Sequence, residues 1–171
     1  KPVLGGAVVR LERHLAGQNL VIASGGDNFS SDYGSPAVWL RPLWQAQQCG
    51  VPVVFMAQSI GPFRDETHRN AFVPVAKRAK LISVRERASY DYVTKDLGIS
   101  SSRVVLTADP AFLLQPASAS WVANALARYG IDPLRPKVAI SVSQGISRYA
   151  NVDEKAHLAK LIAVVKMVLE D

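Results

Sequence analysis

Cysteine is almost absent from this 171-residue chain. Cys49 stands alone, which excludes an internal disulfide framework and any cysteine-based zinc site. In Gln47-Gln48-Cys49-Gly50, at the end of a helical pattern, it reads as a packing residue. Histidine is nearly as scarce. His14 and His157 fall in helical patterns and His68 just past Gly61-Pro62, where it reads as solvated; no two have metal-ligand spacing and no Ser/His/Asp set emerges. Asp27 and Asp32 read as turn residues rather than cation ligands, so no metal is expected. Apolar runs are short, the longest being Val51 to Ala57, and no charged-then-apolar leader precedes them. A cytoplasmic protein without a membrane span is the expectation. Gly-x-Gly-x-x-Gly and Walker patterns, internal repeats and low-complexity tracts are all missing.

What is present is the composition of a globular protein, 49% apolar and 20% charged. The length suits one full domain plus part of another. A start at Lys1 and an end at Glu170-Asp171, directly after an apolar helical run, read as a piece of a longer protein, truncated at both ends. The formal charge of +6 and pI near 9.7 raise the possibility of a polyanionic partner. The excess is concentrated between Arg64 and Arg87, where Arg64, Arg69, Lys77, Arg78, Lys80, Arg85 and Arg87 outnumber Asp65, Glu66 and Glu86. Most of these bases are expected on one solvated helix face. Without aromatics interleaved among them, and without helix-turn-helix or zinc-finger spacing, small anions are better ligands than a nucleic acid.

Five short segments rich in Val, Ile and Leu alternate with helical patterns: Leu20 to Ser24, Pro52 to Gln58, Leu81 to Val84, Arg103 to Thr107 and Lys137 to Val142. Each is too short for a buried helix and lacks strict polar alternation, as does a strand covered on both faces. Helical spacing marks Gly6 to Leu15, Pro36 to Cys49, Asp65 to Ala79, Arg87 to Leu97, Ser118 to Tyr129 and Asp153 to Leu169. Asp65 and Asp153 are expected N-caps; Gly50, Gly98 and Gly130 suit left-handed C-caps; Pro42 and Pro74 are expected to kink or break their helices. The alternation predicts a doubly wound, parallel α/β sheet with right-handed crossovers. A break rich in Pro, Ser and Ala divides the chain into residues 1–115, a connecting helix and linker over 116–136, and the opening of a second, incomplete domain at 137–171.

Ligands of such sheets bind at the carboxyl ends of the strands. The residues there are Gly25-Gly26-Asp27-Asn28, Gln58-Ser59-Ile60-Gly61, Arg85-Glu86-Arg87, Ala108-Asp109-Pro110 and Ser143-Gln144. All five tips carry glycine or hydrogen-bonding groups, which predicts a polar ligand on one rim. Gly25 and Gly26 allow close backbone approach, with Asp27 and Asn28 as acceptor and amide; an Asx turn satisfying itself fits the same residues. Arg85 presents a planar fork to a carboxylate or phosphate, unless it or Arg87 pairs with Glu86, Asp109 or Asp91. Asp109 caps Ala111 to Leu114 or accepts at the rim, and Gln58 and Ser59 bind a hydroxyl or close a turn.

Taken in order, Leu20 to Asn28, Gly50 to Pro62, Ile82 to Arg87 and Thr107 to Phe112 resemble the bacterial polysaccharide pyruvyl transferase family. Gly25-Gly26-Asp27-Asn28 with Asp32-Tyr33-Gly34 leans toward its colanic acid or amylovoran branch. The resemblance spans about residues 20 to 114, and Lys137 to Gln144 more weakly. It implies two Rossmann-like halves in a glycosyltransferase-like, GT-B-like architecture. It also implies transfer of the enolpyruvyl unit of phosphoenolpyruvate, a co-substrate with no further cofactor, onto two hydroxyls of a sugar or lipid-linked oligosaccharide. Arg85, in Val84-Arg85-Glu86, matches the family's donor-binding arginine. The family's general-acid histidine is expected past Asp171, so these residues alone are expected to be inactive. A sugar-nucleotide-dependent glycosyltransferase and a non-catalytic anion- or glycan-binding module remain as other readings.

Overall fold

The computed structural model describes residues 13–15, 17–32, 34–141 and 153–170. The chain divides into two units, one ending at Leu114 and the other beginning at Gln115. The first is built on a five-stranded parallel sheet: β1 Val21–Ala23, β2 Gly26–Phe29, β3 Val53–Ile60, β4 Leu81–Val84 and β5 Val104–Leu106. The order is β1-β3-β4-β5, with β2 also pairing to β3. Parallel pairing requires a crossover between strands. Those crossovers are α1, Ala37–Gln48, and α2, Glu66–Lys77, then the short α3, Arg87–Asp91, which widens into a π-turn over Tyr92–Asp96. The α/β, Rossmann-like class expected from the alternation is the one observed.

Three phenylalanines fix the core. Phe29 of β2, Phe55 of β3 and Phe72 of α2 are each at most 2% exposed, with ring centroids 5.1 to 5.6 Å apart in edge-on or tilted contacts. Such geometry adds to the burial of apolar area itself. Cys49 packs against the same cluster, as expected.

The stretch after β1 departs from the expected open loop. Gly26 lies opposite Gln58 and Phe29 opposite Ile60, so Gly26 to Phe29 continue along β3 as a strand. Pairing satisfies the backbone of these polar residues, and Phe29 anchors them. Gly25 makes the passage possible, because a Cβ there would lie 3.0 Å from the carbonyl oxygen of Ala57.

β3 contains a local irregularity of its own. Ala57 has φ of +49°, and the pairing with β4 slips between Phe55 and Gln58. One extra residue shifts the pleat. Val53, Phe55 and Ala57 are buried before the slip, Gln58 and Ile60 after it, and Ser59 is left partly open. The amide of Ala57 donates to Ser83 Oγ at 3.3 Å, and Ser83 meets Thr107 Oγ1 at 2.8 Å.

Neither proline breaks its helix: α1 runs through Pro42 and α2 through Pro74. An interior proline costs about 3 kcal/mol. Burial of Leu40, Leu43 and Ala46 on α1, and of Phe72, Val75 and Ala76 on α2, offsets it. Gly50, Gly98 and Gly130 take the expected positive φ. The basic stretch is less helical than expected. Only Arg69 and Lys77 of its seven bases lie within α2, and Arg69 and Arg78 donate to the carbonyls of Asp96 and Gln47 rather than facing only solvent.

Asp65 caps α2 as its sequence position predicts. Its Oδ1 accepts from the hydroxyl and the backbone N–H of Thr67, both at 2.7 Å, and these bonds, the hydroxyl's first, hold the carboxyl below its ordinary range. A lowered folded-state value stabilises the fold above the unfolded aspartate value of about 3.9 and is lost as pH falls through the lower one. Asp65→Asn keeps a capping oxygen but removes that titration. Melts followed by circular dichroism should therefore lose less Tm between about pH 4 and pH 2 in this variant than in the parent; parallel acid limbs would show that Asp65 does not contribute.

Among the described residues, the second unit has two helices, α4, Ala119–Arg128, and α5, Glu154–Glu170. Ser118 Oγ caps the first by accepting from Trp121 N, and Asp153 Oδ1 the second from Ala156 N. The strand expected from Lys137 is not formed over residues 137–141, which are exposed and without regular structure. A strand needs a neighbour for its backbone groups, and none lies beside these residues among those described.

Candidate functional site

Because β1, β3, β4 and β5 are parallel, their carboxyl ends share one edge of the sheet. Arg85, the first residue beyond β4, holds the centre of that edge. Its Nε donates to Ser59 Oγ at 2.8 Å and its Nη1 to Asp109 Oδ2, and Glu86 Oε2 lies 3.7 Å from Nε. Among the described residues, the other terminal nitrogen of this guanidinium has no partner. Arg85 and Asp109 are both a little under a third exposed, so the pair sits in a shallow recess rather than in bulk water.

The ring of contacts continues through α3. Ser59 donates to Glu86 Oε2 at 3.0 Å, and Ser89 donates to Glu86 Oε1 while accepting from the amide of Ile60 at 2.8 Å. Asp109 is held from its other side by the amide of Ala111 at 2.9 Å. That backbone bond first, and Arg85 second, keep the Asp109 carboxyl below the ordinary aspartate range. The guanidinium is thereby fixed in plane by Ser59 and Asp109, two groups from different strand ends. Arg87 is exposed beside it, its guanidinium 5.5 Å from the Tyr90 ring centroid.

Of the residues expected on this rim, Arg85, Glu86, Ser59 and Asp109 form one connected network. Of the two alternatives for Arg85, the pairing with Asp109 is the one formed, and it leaves one terminal nitrogen without a partner among the described residues. Asp109 likewise caps the 3-10 turn Pro110–Leu113 while it accepts at the rim. Gln58 is turned inward: it is fully buried, and its amide donates to the backbone carbonyls of Ala23, at 2.9 Å, and Ser24. It ties the end of β1 to β3. Gly61, with φ of +79°, lies against the Tyr92 ring. Gly26 and Asp27 belong to β2, while Gly25 and Asn28 line a cavity of about 410 Å³ between the β1–β2 edge and α1. Ser143, Gln144 and Tyr33 lie outside the described residues.

Two features went unread in the sequence. Ser89 is 4% exposed and closes the network, and its spacing of three from Glu86 is the signal that locates it. His68 is half-buried rather than solvated, 3.1 Å from Ser31 Oγ, which also accepts from Arg64 N at 2.9 Å. Asp32 pairs with Arg64 at 2.7 Å. Among the described residues no group of His, Cys, Asp and Glu is placed to hold a metal ion.

A family model described as polysaccharide pyruvyl transferase matches residues 8–169. No curated protein and no solved structure matches the chain.

Proposed function

Because the chain belongs to the polysaccharide pyruvyl transferase family, we propose that it takes the pyruvyl unit of phosphoenolpyruvate and places it as a ketal on two hydroxyls of a sugar. The setting is exopolysaccharide synthesis of the colanic acid or amylovoran type, in the cytoplasm, within a two-domain, glycosyltransferase-like architecture. No described helix is long and apolar enough to cross a membrane. The division of the chain into two units supports the two-domain reading.

The observation that carries this function is the oriented guanidinium of Arg85. In the reaction a proton adds to the methylene carbon of the donor, and the first sugar oxygen bonds to the neighbouring carbon. Phosphate then leaves with its own oxygen, and the second sugar oxygen closes the ketal. The two hydroxyl protons balance the one gained by carbon and the one carried by phosphate, so no oxidant is needed. The carbon under attack is electron-poor beside a carboxylate, and a donor with that charge has to be gripped before it reacts. A guanidinium locked by Ser59 and Asp109, with its remaining nitrogen unengaged, does this with little reorganisation. Asp109 and Glu86 balance the charges of Arg85 and Arg87, so the donor meets a locally neutral cluster and binds at the Arg85 nitrogen that Asp109 leaves unengaged.

Thermal protection separates this reading from its rivals. A ligand at a hundred times its Kd stabilises by about 2.7 kcal/mol. Phosphoenolpyruvate is expected to raise Tm, and inorganic phosphate at equal concentration to raise it less. Protection by a nucleoside diphosphate-sugar and none by phosphoenolpyruvate would instead identify a glycosyltransferase, and equal protection by phosphate a simple anion module.

A further inference from the structure

We infer that the cavity between the β1–β2 edge and α1 is the acceptor subsite, and that it takes the uncharged pyranose ring of a glycan on the indole of Trp39. This inference rests on the pyruvyl-transfer reading above. None of the ten described residues lining the cavity is charged, although the chain carries +6 overall. A nucleoside diphosphate, a phosphate or an acidic peptide finds no counter-charge among these described residues. Its walls are nonetheless of two kinds. Trp39, Pro42 and Leu43 of α1 and Ile22 of β1 are apolar, whereas Ser24 and Asn28 are polar.

A ligand matching both walls has an apolar face and a rim of hydroxyls, which describes a pyranose. Trp39 is 51% exposed, so a broad ring face is available at the wall of the cavity. Aromatic faces suit the C–H side of a sugar, and an indole loses little entropy on binding. The side-chain amide of Asn28 makes no hydrogen bond to the described residues, leaving a donor and an acceptor for a vicinal pair of hydroxyls. At about 410 Å³ the cavity lies within the usual range of small-molecule sites, about 300–1,000 Å³.

The position also fits. Ser24 follows β1 and Arg85 follows β4, with β3 between them. Two strand spacings put them about 10 Å apart. Gln58 spans the gap, because its side chain holds the carbonyls of Ala23 and Ser24 while its own carbonyl accepts from the Arg85 amide at 3.3 Å. The floor of the cavity and the donor-binding arginine are therefore parts of one hydrogen-bonded frame.

The test uses methyl glucoside, methyl galactoside and methyl mannoside as probes, read by the indole N–H resonance of Trp39 in ¹⁵N spectra. Uridine is the uncharged nucleoside control. At least one glycoside is expected to shift that resonance saturably. Measured on the glycoside's own signals by saturation-transfer NMR, which needs no indole, Trp39→Ala should weaken its binding about tenfold or more, equivalent to about 1.4 kcal/mol. Trp39→Phe should recover part of the loss, which a merely structural indole would not predict. Asn28→Ala, on the other wall, should weaken binding without moving the free-protein resonance. Phosphoenolpyruvate protection measured on the same variants should be unchanged. If phosphoenolpyruvate protects the parent protein and no glycoside moves Trp39, or uridine moves it instead, the acceptor assignment is overturned. If glycosides bind at Trp39 and phosphoenolpyruvate never protects, the pyruvyl-transfer reading fails and the sugar site stands.

Discussion

Gly61→Ala is expected to destabilise the first unit by about 3 kcal/mol, enough to lower its urea midpoint clearly. Two costs add. Gly61 has φ of +79°, where a residue with a Cβ loses about 1–2 kcal/mol. The added methyl would also overlap the Tyr92 ring, and overpacking costs about 1–3 kcal/mol. Tyr92 has little freedom to yield, because its hydroxyl accepts from the amide of Phe63 at 2.9 Å and its ring packs against Phe63. In the double variant Gly61→Ala, Tyr92→Ala the steric share should vanish, leaving a favourable coupling between the two substitutions. A loss below about 1 kcal/mol for the single variant would mean that the ring moves aside freely.

Arg85→Ala is expected to weaken phosphoenolpyruvate binding about a hundredfold, and Arg85→Lys about tenfold. Hydrogen bonds to charged groups contribute about 1.5–3 kcal/mol each. Alanine loses them all and also leaves Asp109 without its cation. Lysine restores the charge as a single point, whereas Ser59 and Asp109 lie where a planar fork reaches both. The ratio between the two variants is informative. Equal binding by the parent and Arg85→Lys, measured by calorimetry, would show that charge alone matters and that the fork has no role in holding the donor.

Much of this was legible in the sequence because the physics was local. Leu81 to Val84 and Pro52 to Gln58 are runs of apolar, β-branched residues bounded by turns, and they are strands. Arg85 was legible because a parallel sheet has only one edge where ligands gather. β2 was not, since Gly26, Asp27 and Asn28 have no strand propensity; pairing with β3 and the burial of Phe29 override it. Lys137 to Val142 failed in the opposite direction, having strand-like residues but no neighbour to pair with over its described part. Ser89 and Tyr92 were missed because their partners, Ile60 and Phe63, are 29 residues away in the chain. Trp39 reads as one more apolar position of an amphipathic helix until the cavity beside it is seen.

The slip at Ala57 bears on how this protein tolerates change. Residues before it and after it obey opposite parities, so the strand has in effect two halves whose inside and outside are exchanged. Deleting Ala57 would only restore a regular alternation with Ser59 still open, whereas adding a residue there with the slip kept would turn Ser59 toward hydrocarbon and bring Ile60 to the side where Arg85 waits. β3 can thus lose its extra residue more readily than it can gain another, and relatives that keep the arginine network are expected to have no added residue between Phe55 and Ser59.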